Sequence, residues 1–230
     1  MAACSGARET EMEWTRYIDG YCERMGPEYW AEPINAVTNL AFVIAALVMW
    51  RRARGLALAR ALCVVLGLIG IGSYLFHTHA QVWAAMADVL PIIGFILLYL
   101  FAVNRAAFDV NGWAALGLTA LFIPYAGMMV PAFSLIPALG GSAAYAPVPL
   151  LIFLYAGFLR HRLPEFARGL AIGAGLLVVS LTFRTLDEPA CDAIPIGTHF
   201  MWHVLNGVML GWMIEVYVRL MREKAEEGRA

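Results

Sequence analysis

His199 and His203 stand one helical turn apart in Gly197-Thr-His-Phe-Met-Trp-His-Val-Leu-Asn-Gly207, at the start of an apolar stretch long enough to cross a bilayer. Residues at i and i+4 share a helix face, and ionisable side chains at membrane depth are costly to keep and mark function. A second patch, Gly72-Ser-Tyr-Leu-Phe-His77, closes another apolar stretch, and Asp88 follows in Asp-Val-Leu-Pro91. Three imidazoles, a carboxylate and a hydroxyl make up the inventory of a catalytic zinc site, which keeps three protein ligands and leaves a fourth position for water. The expectation is Zn2+ on His77, His199 and His203, with Asp88 and Ser73 beside it. Ser73 lies one turn before His77 on the same face, where a hydroxyl also commonly bonds back to its own helix. His79 and His161 repeat no such spacing and read as ordinary interfacial histidines.

The elements that carry these residues follow from composition. Of 230 residues, 61% are hydrophobic and 14% charged, and the mean hydropathy is +0.70, far from the shares of a soluble domain. An all-α polytopic membrane protein is expected, because lipid leaves backbone groups no partner outside their own helix. Seven apolar stretches are near the length a span needs: Ile34 to Trp50, Leu56 to Phe76, Val82 to Phe101, Gly112 to Pro131, Ala144 to Leu159, Gly169 to Thr185 and Pro195 to Leu220. Prolines 124, 131, 147 and 149 make the fourth and fifth the weakest. The division is a polar segment 1–33 without the apolar core of a signal peptide, a spanning domain 34–221, and a short tail 222–230. The net charge of −1 excludes a nucleic-acid partner, which needs a basic surface.

Twelve of the sixteen Lys and Arg fall on the side holding the loops after the first, third, fifth and seventh stretches. The other four are Arg8, Arg16, Arg24 and Arg184. The positive-inside rule then puts the N-terminus outside and the C-terminus in the cytoplasm, as an odd number of spans requires. Ser73, His77, Asp88, His199 and His203 all fall on the non-cytoplasmic side, although none of them entered the count.

These residues resemble a known family. Gly72-Ser73, Phe76-His77, Asp88 before Leu90-Pro91, His199 and Trp202-His203 look like the motifs of the alkaline ceramidases, in the superfamily that includes adiponectin receptors and haemolysin III-like proteins. The resemblance implies a seven-helix fold, zinc on His77, His199 and His203, a catalytic site completed by Ser73 and Asp88, and ceramide as substrate. Asp19-Gly-Tyr-Cys-Glu23 and Ala31-Glu-Pro-Ile-Asn35 look like the family's calcium-binding segment, although Asp19 and Glu23 stand one residue further apart than in the animal enzymes.

The N-terminal segment also has its own reading. Asp19, Glu23, Glu28 and Glu32 are hard oxygen donors of the kind Ca2+ takes, and a solvated acidic tail is the alternative. Cys22 and Cys191 both fall on the outward side, where a disulfide is permitted and would pin the tail beside His199. Cys63 lies inside a span and Cys4 near the N-terminus. The whole reads as a zinc amidase acting on ceramide or another N-acyl lipid drawn from the membrane. A lipid-sensing receptor or scaffold with weak hydrolysis is the main alternative. A transporter built on buried histidines would show repeated halves, and the sequence has none. Oligomeric state has no signature in the sequence.

Overall fold

A computed structural model describes residues 13–228. Among them the fold is helical, with a single isolated bridge, Tyr17 to Gln81, outside the helices. The elements are α1 (Pro33–Thr38), α2 (Leu40–Arg52), α3 (Ala57–His79), α4 (Val82–Ala107), α5 (Gly112–Ala120), α6 (Phe122–Ser134), α7 (Pro147–Leu159), α8 (Pro164–Leu186) and α9 (His199–Glu227). Short 3-10 turns, Pro137–Ser142 and Glu188–Ala190, precede α7 and α9.

Among the described residues, six segments are long and apolar enough to cross a membrane: Pro33–Arg52, Ala57–His79, Val82–Ala107, Gly112–Ser134, Pro164–Leu186 and His199–Glu227. The fifth expected span falls short of that measure. Its helix, α7, has 13 residues, so at about 1.5 Å per residue it covers about 20 Å. The reason is local: residues 137–146 are spent in turns, and Pro147 fixes where the helix can begin. The last expected span continues beyond Leu220 as one helix to Glu227.

The helices close into a ring. α9 packs on α8 and α2, α2 on α3, α3 on α4, and α7 on α8, while α9 also reaches α1, α3 and α4. The outer faces carry Leu47, Val64, Ile71, Ile123, Phe158 and Val208 in the open. Inside, an apolar core of Leu62, Leu66, Leu170 and Ile214 also encloses polar side chains: Ser73, His77, Asn104, His199, His203 and Asn206. Apolar outer faces suit a bundle whose solvent is lipid. One end is laced by charge. Glu215 of α9 holds Arg52 of α2 and Arg219, and Asp109 holds both Arg162 and Lys224. The opposite end gathers the C-terminus of α3 and the N-termini of α4 and α9.

Two constraints shape that opposite end. Gly72 faces the backbone of α4, and a Cβ there would overlap the Ala87 carbonyl, so a hydrogen is what lets α3 and α4 touch beside Ser73 and Asp88. Across the ring, Cys22 and Cys191 form a disulfide. The N-terminal segment is thereby laid over the helix ends, where Ile18 N–H also donates to Ala80 O at 2.8 Å.

Replacing Gly72 by Ala should cost about 1–3 kcal/mol, the usual cost of overpacking. Thermal melting in detergent measures this, and an unchanged melting temperature would show that the two backbones can part freely.

Candidate functional site

His77 lies in the last turn of α3, and His199 and His203 occupy the first two turns of α9. All three are buried, at 1%, 2% and 1% exposure. Their ring centroids are 4.6–5.1 Å apart, and one ligand nitrogen from each lies within 4.8 Å of the others. The structure thus brings together the three histidines expected from the sequence. They are the one group of three or more His, Cys, Asp or Glu with metal spacing among the described residues.

Each imidazole is aimed by something outside its own helix. His77 Nδ1 bonds the Glu32 carboxylate at 2.6 Å, which leaves its Nε2 for a ligand. His203 Nδ1 bonds the Thr38 hydroxyl at 2.9 Å. Thr38 itself donates to Ile34 O at 2.8 Å, so the Thr38 oxygen is the acceptor and His203 is the Nδ1–H tautomer, with Nε2 as a lone-pair donor. His199 is clamped by Tyr21, whose ring stacks on it at 3.7 Å. His199 Nδ1 and His203 Nε2 are buried with no hydrogen-bond partner. Buried ring nitrogens are normally paired, and outer-shell partners of this kind orient metal-ligating histidines, so the donor set fits a metal ion.

Asp187 organises the start of α9. Its carboxylate accepts from the N–H groups of Thr198 at 2.6 Å and His199 at 2.8 Å, and from Cys22 N–H at 3.0 Å. A carboxylate at a helix N-terminus satisfies donors that lack an intrahelical partner and complements the helix dipole. Gly197, at φ +65°, makes the turn into it, and a side chain there would collide with that same carboxylate.

Ser73, one turn before His77, lines the same cavity as Asp88 across the α3–α4 contact. Asp88 and Tyr145 line two cavities at once. One is an apolar chamber inside the ring, walled by Phe42, Ile69, Ile92, Phe95 and Met209, with Ser73 and Asn206 also in its lining. The other is a wider mouth at the bundle end, bordered by Tyr21, Phe76 and Arg184. An apolar cavity with a few convergent polar groups is the usual form of a small-molecule site.

A model of the ceramidase family matches residues 18–229. The chain belongs to the ceramidase family. None of the curated proteins compared with it matches. Family membership makes it a hydrolase of amide bonds, with a lipid substrate and a place in the membrane.

The acidic residues expected to hold Ca2+ in this ceramidase-family chain are placed differently from one another. Asp19 is exposed. Glu23 accepts the N–H groups of Ile34 at 2.7 Å and Asn35 at 2.8 Å, capping α1. Burial pushes its carboxyl above the ordinary range, with those two bonds opposing the rise. Glu32 also feels burial, but hydrogen bonds from His77, Arg24 and Asn35 outweigh it and hold the carboxyl below its usual value. Glu28 stays exposed.

Several participants left no trace in the sequence. Tyr21, Thr38 and Asp187 contact a histidine or its backbone from far along the chain. Arg184, bonded to Ser142 at 3.0 Å and set over the rings of Tyr145 and Trp202, borders the mouth. Only the alternation of polar residues within apolar spans could have flagged Arg184.

His77→Ala, His199→Ala or His203→Ala should each strip most bound metal from purified protein, as read by elemental analysis. Glu32→Gln removes only the partner of one ligand, so metal affinity should fall about 10- to 100-fold. Unchanged metal content in the histidine variants would refute the assignment.

Proposed function

We propose that this protein is a zinc-dependent intramembrane amidase that cleaves ceramide or a related N-acyl lipid into a fatty acid and a sphingoid base or amine. The observation that carries the reading is the junction itself. Three buried imidazoles, two with unsatisfied nitrogens, include His77 one helical turn from Ser73, which lines an apolar chamber with Asp88, and Asp88 also borders the wider mouth.

Zinc on His77, His199 and His203 would polarise the scissile carbonyl and acidify a water. The chain's own groups do the rest. Asp88 takes the proton from the attacking water and delivers it to the departing amine nitrogen, as general base and then general acid. Ser73 donates its hydroxyl to the oxygen of the attacked carbonyl, where negative charge develops. An alkyl limb of the substrate occupies the chamber, the headgroup occupies the mouth, and the amide sits between Asp88 and Tyr145.

We further propose seven crossings, with the N-terminus and the site on the non-cytoplasmic side. Supporting this, Ser142 before α7 meets Arg184 at the site end, whereas Arg162 after α7 meets Asp109 at the other end. Short as it is, α7 therefore runs from one end of the ring to the other. The disulfide suits an oxidising compartment, and the Lys and Arg bias points the same way.

Purified protein should release fatty acid from an N-acyl sphingoid base, lose that activity to a strong chelator, and regain it with zinc. Turnover by fully metal-free protein would sink the metal-dependent reading. Asp88→Asn should keep its zinc and slow by about 10² to 10⁴, while Ser73→Ala should slow by about 10² to 10³. Loss of zinc from Asp88→Asn would make Asp88 a ligand and not the base.

A further inference from the structure

The carboxylate of Glu32 reaches two partners of opposite consequence. One oxygen meets His77 Nδ1 at 2.6 Å and Asn35 Nδ2 at 3.0 Å. The other pairs with Nε of Arg24. The Arg24 guanidinium then donates through Nη1 to Gly26 O at 2.9 Å and through Nη2 to His77 O at 2.8 Å. Arg24 is 5% exposed and Glu32 2%. A planar cation thus collects one carboxylate and two main-chain carbonyls, drawn from the N-terminal segment, the start of α1 and the end of α3.

That oxygen set, a carboxylate with backbone carbonyls, is the kind a hard divalent cation takes. Here it is already filled by a covalently attached charge. Glu23, the nearest other acid in sequence, has both oxygens engaged by Ile34 and Asn35 N–H. Asp19 is exposed.

We infer that Arg24 is the built-in cation of this segment, standing where the sequence suggested Ca2+, and that it is a positioning residue acting through Glu32 on His77. Its guanidinium does two jobs that a diffusible ion would have to do reversibly. It keeps the buried Glu32 carboxylate compensated and oriented, so that this carboxylate accepts the His77 Nδ1–H and turns Nε2 toward the metal position. It also holds the carbonyl of His77, fixing that residue at both ends. Arg suits the task better than Lys because its rigid fork serves three acceptors in fixed directions. The positioning half rests on His77 being a metal ligand.

The test uses the full-length protein in detergent. Calcium titrated into zinc-loaded wild type should give no stoichiometric heat by calorimetry, and a calcium-selective chelator should leave melting temperature and zinc content unchanged. One equivalent of bound calcium, with melting temperature lowered by its removal, would overturn the inference. Arg24→Gln should lower zinc affinity by about tenfold or more, Arg24→Lys should fall between it and wild type, and free guanidinium ion should restore zinc retention to Arg24→Ala where equal sodium does not. Wild-type zinc affinity in Arg24→Gln would refute the positioning role, and the calcium titration of wild type decides the cation role even if a variant fails to fold. None of these readouts assays hydrolysis, so a wild type inactive on N-acyl lipids would sink the amidase reading alone.

Discussion

Three imidazoles packed within 5.1 Å of one another inside a helix bundle must be told which nitrogen to present, and no helix can do that for itself. A helix fixes where a Cα lies and roughly where its side chain leaves. Ring rotation and tautomer are set by whatever meets the far nitrogen. Glu32, Thr38 and the Tyr21 ring supply those instructions, and all three come from the first forty residues. The later helices therefore supply the ligands, and the N-terminal segment with the first turns of the first span supplies their aim.

This division explains why so much polar structure lies at one end of an apolar ring. Burying Glu32 and Arg24 at 2% and 5% exposure is tolerable because they are paired and further hydrogen-bonded; breaking such a pair by removing one partner typically costs about 3–5 kcal/mol. Asp187 is handled likewise, by three backbone N–H groups. The chamber beneath is almost wholly apolar. On the site side, polarity gathers at the level of the histidines, where a carbonyl drawn from lipid would meet it.

How much of this was legible in the sequence depends on the range of the signal. His199 and His203 announce themselves by a four-residue spacing in an apolar stretch, and Ser73 and His77 by the same rule on another. The Cys22–Cys191 pairing followed from sidedness and from the poor placement of the other two cysteines, and the structure forms that bond. The partners of the histidines were opaque: Thr38 and His203 are separated by 165 residues and Glu32 and His77 by 45, and no local pattern links them. Counting carboxylates in the N-terminal segment did not reveal their partners: Glu23 caps a helix and Glu32 pairs with an arginine eight residues away. The fifth span was overestimated because hydropathy alone does not register turns spent at 137–146.

The bond between Cys22 and Cys191 spans 169 residues, and that distance has a temporal meaning. Chains emerge during synthesis at about 5–20 residues per second, so Cys22 waits roughly 10 to 30 s for its partner to be made. Over that interval Tyr21 has no His199 to cover. The pocket is completed only when the helix His199–Glu227 has been made, and a product truncated before that helix would carry both cysteines but only one of the three histidines.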